Sequence, residues 1–209
     1  MSAINLPRGR FTDALVAFIV VVSIMQLSRT VLLMVFPYGY SPLLFVSGGW
    51  QVPLVWLAPL VSQFLLSAIV NVLFNTVLLL IAGRYAERAL GGFGLLGLFV
   101  AGAYGGAIAR TILTSGSVLV TAGASAGLFA IIGACLMLYG IPAGIPINRT
   151  YSRPLQIAAI AAIWVALQIA FMLSSGVFEL SVSIVDPLGG LLTGALLARP
   201  LLAWRYRKA

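Results

Sequence analysis

The chain alternates long apolar runs with short polar segments, and this pattern predicts helices that cross a membrane. A hydrocarbon core about 30 Å thick is crossed by about 20 mostly apolar residues in a helix. Six runs approach or exceed that length: residues 12–36, 61–83, 93–114, 125–141, 155–175 and 185–203. We therefore expect an all-α fold, a polytopic bundle of six transmembrane helices that forms one domain over residues 1–209.

Composition also argues against a soluble domain. Hydrophobic residues make up 62% of the chain and charged residues only 8%, whereas an ordinary soluble domain is about one quarter charged. So few charges cannot cover a surface that faces water. With no histidine, a single cysteine and four scattered acidic residues, the chain is also expected to hold no metal ion, and no motif indicates another cofactor.

The positive charges predict an orientation. Ten of the 12 lie in residues 8–10, 84–88, 149–153 and 199–208, which six spans would bring to one side, while the opposite loops carry only Glu179. The positive-inside rule makes the basic side cytoplasmic. We therefore expect an integral protein of the bacterial inner (cell) membrane with both termini in the cytoplasm. Because the cations are spread over short loops, they favour the lipid bilayer over nucleic acid as their partner.

Two charged residues near the outer side need separate interpretations. Arg110, close to the end of the third span, is expected to extend to the lipid headgroups. Asp186 is expected either to face interfacial water or to cap a helix that starts at Pro187. An ionisable residue at membrane depth also indicates a functional site, so Asp186 stays a candidate for chemistry.

The segment between the first two spans, residues 37–60, is long, uncharged and aromatic. Its four prolines discourage a regular helix, and Tyr and Trp rings favour the headgroup level. We expect an interfacial loop that lies partly in the outer leaflet.

Small residues predict close contacts between helices. Glycines recur in the third, fourth and sixth spans, and small residues are what allow membrane helices to approach backbone to backbone. The positions are Gly102, Gly105, Gly106, Gly123, Gly127, Gly133, Gly189, Gly190 and Gly194.

Four segments, in order, resemble motifs of the rhomboid family of intramembrane serine proteases. Residues 64–75 are similar to the family's second helix, with Asn71 and Asn75 on the frame of its polar residues. Residues 83–91 resemble the charged turn after that helix. Residues 123–129 resemble the nucleophile motif Gly-x-Ser-Gly, with Ser125 as the serine. Residues 187–194 resemble the sixth-helix pattern His-x-x-Gly-x-x-x-Gly, with Gly190 and Gly194 as the glycines.

This resemblance, which spans residues 50 to 200, implies a bundle around a water-filled cavity open to the outer side. In the family, the serine attacks a peptide bond of a client transmembrane segment, the sixth-helix histidine takes its proton, and second-helix amides hold the oxyanion. Here the histidine position is Pro187, and the two histidine positions of the second helix are Leu66 and Asn71. Ala126 replaces the glycine after the serine.

Loss of the histidine decides the expected function. A serine hydroxyl needs an adjacent base to become a nucleophile, and the one lysine, Lys208, lies in the basic tail. Asp186 is the remaining candidate base, although its position is one residue from that of the histidine. Ser125 also has a packing interpretation, because a serine hydroxyl can bond a carbonyl one turn back. Asn71 and Asn75 are expected to hydrogen-bond each other or the fourth helix.

We therefore expect a rhomboid-like pseudoprotease that binds a transmembrane segment of another membrane protein. Two alternatives stay open. One is an active serine endopeptidase that uses Ser125, and the other is an accessory structural subunit of a larger membrane complex. Neither the client nor the oligomeric state follows from the residues.

Overall fold

The computed structural model describes residues 7–66, 69–141, 150–175 and 180–207, and in these segments the fold is all-α. The connection between the fourth and fifth spans therefore lies mostly outside the described residues. The α-helices are α1 (Arg10–Met25), α2 (Arg29–Val35), α3 (Pro42–Val46), α4 (Ala58–Ser62), α5 (Ile69–Leu113), α6 (Ser125–Tyr139), α7 (Arg153–Ser175) and α8 (Leu180–Tyr206).

The second and third predicted spans are joined without a loop. Helix α5 runs through both and is interrupted at Gly91, whose backbone has φ 77° and ψ 171°. Glycine adopts this conformation without the steric cost that a Cβ brings. Asn71, near the start of α5, lines the same cavity as Asp186, and Gly106, near its end, also packs on Asp186. The chain therefore reverses at Gly91, and α5 has a first arm (69–90) and a second arm (92–113).

The first predicted span, by contrast, is not one helix. Helix α1 ends at Met25 and α2 begins at Arg29, so the prediction of one helix over residues 12–36 is wrong. At the break, the Gln26 side chain contacts the segment before α5: its Nε2 donates to the Phe64 carbonyl (2.7 Å) and its Oε1 accepts from the Leu66 amide (2.9 Å). These bonds satisfy the backbone of residues 64–66 from outside. The helix of the second predicted span starts at Ile69 rather than at residue 61.

The long segment before α5 is built from short helical turns. Pro42, Pro53 and Pro59 each stand at the first or second position of such a turn, where a missing amide hydrogen costs nothing. The segment packs on the loop before α6, since the Thr121 amide donates to the Tyr40 carbonyl (2.9 Å). Trp50 and Trp56 stay about half exposed.

Glycines set the packing of the second arm of α5 against α6 and α8. A Cβ at Gly194 would overlap the Ala130 carbonyl, and one at Gly190 would overlap the Ala126 carbonyl. A Cβ at Gly127 would lie 2.6 Å from the Phe99 ring. The backbones therefore touch where larger residues would separate the helices.

One end of the bundle collects three helix termini. Glu87 accepts hydrogen bonds from the amides of Phe11 (3.1 Å) and Thr12 (2.8 Å), which are among the unpaired donors of the first turn of α1. Nearby, Arg84 and Asp13 form an ion pair at 2.8 Å. Arg205, at the end of α8, donates to the Arg88 carbonyl (2.9 Å), just before Gly91. This end lies away from Ser125 and Asp186.

By length and composition alone, two helices within the described residues could cross a membrane, Ile69–Leu113 and Ile184–Tyr206. The first contains two of the six predicted spans because of the reversal at Gly91.

Candidate functional site

The sequence-predicted residues meet at one cavity of about 80 Å³ between α5, α6, α7 and α8. It is lined by Asn71, Phe74, Asn75, Thr121, Ala122, Ser125, Trp164, Gln168, Asp186 and Pro187. Five of these, Asn71, Asn75, Ser125, Asp186 and Pro187, are candidates that the sequence singles out. They come from three separate parts of the chain, so the fold brings them together.

Ser125 is the first residue of α6 and is partly exposed. The preceding turn uses Gly123, whose φ of 105° is in the left-handed region that favours glycine. Gln63 fixes the start of the helix, since its Oε1 accepts from the Gly127 amide at 3.0 Å. Among the described residues, the Ser125 hydroxyl has no hydrogen-bond partner.

Asn71 and Asn75 lie one turn apart on the first arm of α5. Asn75 is buried with 8% of its surface exposed, whereas Asn71 is exposed. Within the described part of the chain, neither side chain bonds the other or α6. Both are therefore polar groups that line the cavity without a bond to Ser125.

Asp186 is held by an ion pair and a hydrogen bond. Its Oδ2 accepts from the Thr121 hydroxyl at 2.9 Å and lies 3.5 Å from an Arg110 guanidinium nitrogen. Arg110 also donates to the Thr121 hydroxyl and to the Leu119 carbonyl. Thus α8, the second arm of α5 and the loop before α6 are tied together at one buried point.

This arrangement corrects the interpretation of both charged residues. Arg110 has no exposed surface, so the prediction that it reaches the headgroups is wrong. Its two terminal nitrogens find a hydroxyl, a carbonyl and a carboxylate inside the protein, while its Nε has no hydrogen-bond partner in the described residues.

Asp186 is 1% exposed and lies six residues after the start of α8 at Leu180. It therefore neither faces water nor caps a helix that begins at Pro187. Proline inside a membrane helix is tolerated where neighbouring groups satisfy the freed carbonyl.

The family model of the Rhomboid domain matches residues 53–204. The chain belongs to the rhomboid family. Searches of the curated proteins and of the solved structures gave no match. Membership confirms the resemblance read from the four motifs and indicates an integral membrane protein.

In this rhomboid, no side-chain acceptor that the structure describes lies within hydrogen-bond distance of the Ser125 hydroxyl. Pro187, which the sixth-helix motif matches to the family's histidine, has no side-chain acceptor. One carboxylate oxygen of Asp186 is occupied by Thr121 and Arg110, and the other, Oδ1, is buried without a hydrogen-bond partner. The site retains a hydroxyl, amides and a neutralised carboxylate around a small polar space.

Trp164 closes the cavity on the side of α7. Its ring packs on Phe129 of α6, with centroids 4.6 Å apart, and stacks with Phe74 of α5, at 6.4 Å and 18° between planes. Its Nε1 is buried without a hydrogen-bond partner in the described residues. The Phe74–Trp164 stack therefore joins the first arm of α5 to α7 at the wall of the cavity.

Sequence reasoning missed Arg110, Thr121, Gln63 and Trp164 as parts of this site. For Arg110 a signal existed, because a lone cation near one end of a span and a lone carboxylate at the same end are natural partners. Thr121, Gln63 and Trp164 carry no local signal. Their roles depend on contacts between residues far apart in the chain.

Proposed function

We propose that this rhomboid-family protein binds transmembrane helices of a partner protein and does not cleave them. The observation that carries the proposal is the state of the position where a base is needed. Pro187 stands at the position that the motif matches to the histidine. One oxygen of the adjacent Asp186 is held by Arg110 and Thr121, and the other makes no hydrogen bond to Ser125. A rhomboid scaffold with a polar cavity is kept, while the group that activates the serine is not.

The size of this loss supports the proposed absence of proteolysis at ordinary rates. General-base assistance contributes a factor of about 10² to 10⁴. In a serine hydrolase, removal of one member of the catalytic group costs up to about 10⁶ in kcat. Since the whole chain lacks histidine, no rearrangement of its helices can supply an imidazole.

Binding of a helix is supported by the composition of the cavity and by how it is closed. Polar groups inside a membrane bundle attract polar groups on neighbouring helices, because hydrocarbon offers them no other partner. The route runs between the first arm of α5 and α7, where the Phe74–Trp164 stack is the aromatic contact that an entering helix would part.

The same proposal includes a topology. Six spans cross a bacterial inner membrane: the α1–α2 segment, the two arms of α5, then α6, α7 and α8. The end that holds Glu87, Arg84 and Arg205 faces the cytoplasm, in keeping with its positive charge. The Ser125 cavity then lies towards the outer leaflet.

A fluorophosphonate probe tests the absence of proteolysis. We expect no more labelling of the wild type than of Ser125→Ala in detergent and in nanodiscs. Labelling that depends on Ser125, together with cleavage of a transmembrane peptide, would instead establish the serine endopeptidase.

Photocrosslinking tests the binding. A photoreactive amino acid at Phe74, on the proposed route, is compared with one at Ile112, which is exposed on the second arm of α5. We expect adducts with a membrane segment of a partner only from position 74. Equal yields from the two positions would contradict entry at this site. A large partner recovered in fixed stoichiometry after mild solubilisation would favour the accessory-subunit alternative.

A further inference from the structure

We infer that the cavity beside Ser125 recognises a carboxamide side chain, that of Asn or Gln, in the membrane-spanning segment of the partner. This inference rests on the proposed function, because it names the group that the bound helix presents. It starts from two buried polar atoms of residues that line the cavity, the Oδ1 of Asp186 and the Nε1–H of Trp164. Neither has a hydrogen-bond partner in the described structure.

These two atoms need hydrogen-bond partners of opposite kinds, one a donor and the other an acceptor. A carboxylate oxygen accepts a hydrogen bond, whereas an indole nitrogen only donates one. A buried polar atom without a partner is costly, and a membrane interior offers little water to relieve it. A ligand that relieves both atoms must therefore carry a donor and an acceptor.

The charges around the cavity exclude ionised ligands. Arg110 already balances the charge of Asp186, with 3.5 Å between nitrogen and oxygen. A Lys or Arg from the partner would bring a cation beside Arg110, and an Asp or Glu would bring an anion beside Asp186. Each would enter the membrane without a counter-ion, which is unfavourable. A neutral group meets no such penalty.

The volume of the cavity and its polar lining narrow the choice of neutral side chain on the partner helix to a carboxamide. The cavity of about 80 Å³ has room for two or three water molecules at about 30 Å³ each. The head group of Asn or Gln, with three heavy atoms, fits such a space. Its NH₂ would donate to Asp186 Oδ1 and its oxygen would accept from Trp164 Nε1. Asn75, buried on the cavity wall, adds a carboxamide that can pair with another.

Synthetic transmembrane peptides test this preference. Peptides that differ at one central residue, Gln, Leu, Lys or Glu, carry a donor dye. The full-length protein carries an acceptor dye at Gly116→Cys, where a side chain meets no neighbour within 4 Å, in a Cys135→Ala background. Energy transfer in nanodiscs gives the affinities. Two interhelical hydrogen bonds of ordinary strength predict that the Gln peptide binds about five- to tenfold more tightly than the Leu peptide.

A matched pair of variants assigns the preference to the cavity. Trp164→Phe keeps an aromatic ring but removes the indole N–H, so we expect the ratio of Gln to Leu affinity to fall at least twofold. Trp204→Phe makes the same change at an exposed residue on the other end of the bundle and should leave the ratio unchanged.

The possible results separate this inference from the function on which it rests. Equal binding of the Gln and Leu peptides, or tighter binding of Lys or Glu, would overturn the carboxamide preference while helix binding survived. A Gln preference that persists in Trp164→Phe would also overturn it. If no peptide bound at all, the proposed function itself would fail.

Discussion

Asp186 and Arg110 form an ion pair in which neither side chain is more than 2% exposed. The two residues lie 76 positions apart in the chain and join α8 to the second arm of α5. Thr121 shares hydrogen bonds with both. Asp186, the candidate base next to Pro187, is thus part of the framework of the bundle.

Arg110→Met is expected to destabilise the protein by about 3–5 kcal/mol, because it leaves a buried carboxylate without its counter-ion. The measurement is the free energy of unfolding in mixed micelles. The double variant Arg110→Met/Asp186→Leu should recover part of the loss, since both charges are then gone.

The exposed pair Arg84–Asp13 is the control for that experiment. Its side chains are 25% and 51% exposed, and surface ion pairs contribute about 0–1 kcal/mol. If Arg84→Met lowered the free energy of unfolding as much as Arg110→Met, the buried pair would contribute no more to stability than a surface pair.

Gly194→Ala is expected to destabilise the protein by about 1–3 kcal/mol, the usual range for overpacking. The added Cβ would overlap the Ala130 carbonyl and push α8 away from α6. Thermal unfolding followed by near-UV circular dichroism measures the effect. Gly97→Ala is the matched control, because a Cβ there meets nothing within 4 Å. A similar loss at both positions would point to a general intolerance of glycine substitution.

Glu87→Ala should loosen the start of α1, because the amides of Phe11 and Thr12 lose their acceptor. Loss of a helix cap costs about 0.5–2 kcal/mol. Hydrogen exchange over residues 10–14 should become faster. Exchange in α6, at residues 128–136, should not change, and faster exchange in both helices would mean that Glu87 supports the whole bundle.

Pro187→His restores an imidazole on the cavity that Ser125 lines. We expect fluorophosphonate labelling at least about tenfold above that of Pro187→Ala, in line with the lower range of base catalysis. The label must disappear in Pro187→His/Ser125→Ala. Labelling no higher than in Pro187→Ala would mean that the serine is out of reach of this helix position.

The all-α fold and the family could be predicted because they depend on local patterns. Each apolar run must satisfy its own backbone hydrogen bonds as a helix, and the four motifs keep their order along the chain. The break at Gln26 could not be predicted in this way. The bonds that Gln26 makes there reach Phe64 and Leu66, about 40 positions away. A reversal between the second and third spans could be predicted from the charged turn at residues 83–91. That it takes place at Gly91 alone, without a loop, could not, since nothing in the local pattern marks that glycine for a positive φ.

At the candidate site, too, residues in local motifs could be predicted and contacts between distant helices could not. Ser125, Asn71, Asn75 and Pro187 were located because they occupy motif positions. The pairing of Arg110 with Asp186 and the contact of Trp164 with Phe74 and Phe129 depend on how distant helices pack. Each of these residues, taken alone, fits an ordinary anchor or core position.

The reversal at Gly91 has a practical consequence for topology mapping. Residues 84–92 look like a surface connection in the sequence, and such connections are the usual places for reporter fusions and epitope tags. Here they are helical apart from Gly91. Glu87 accepts a hydrogen bond from the first turn of α1, and Arg205 of α8 donates to the Arg88 carbonyl. A tag inserted there would pull apart three helix ends, so accessibility is better mapped from the loop around Gly116.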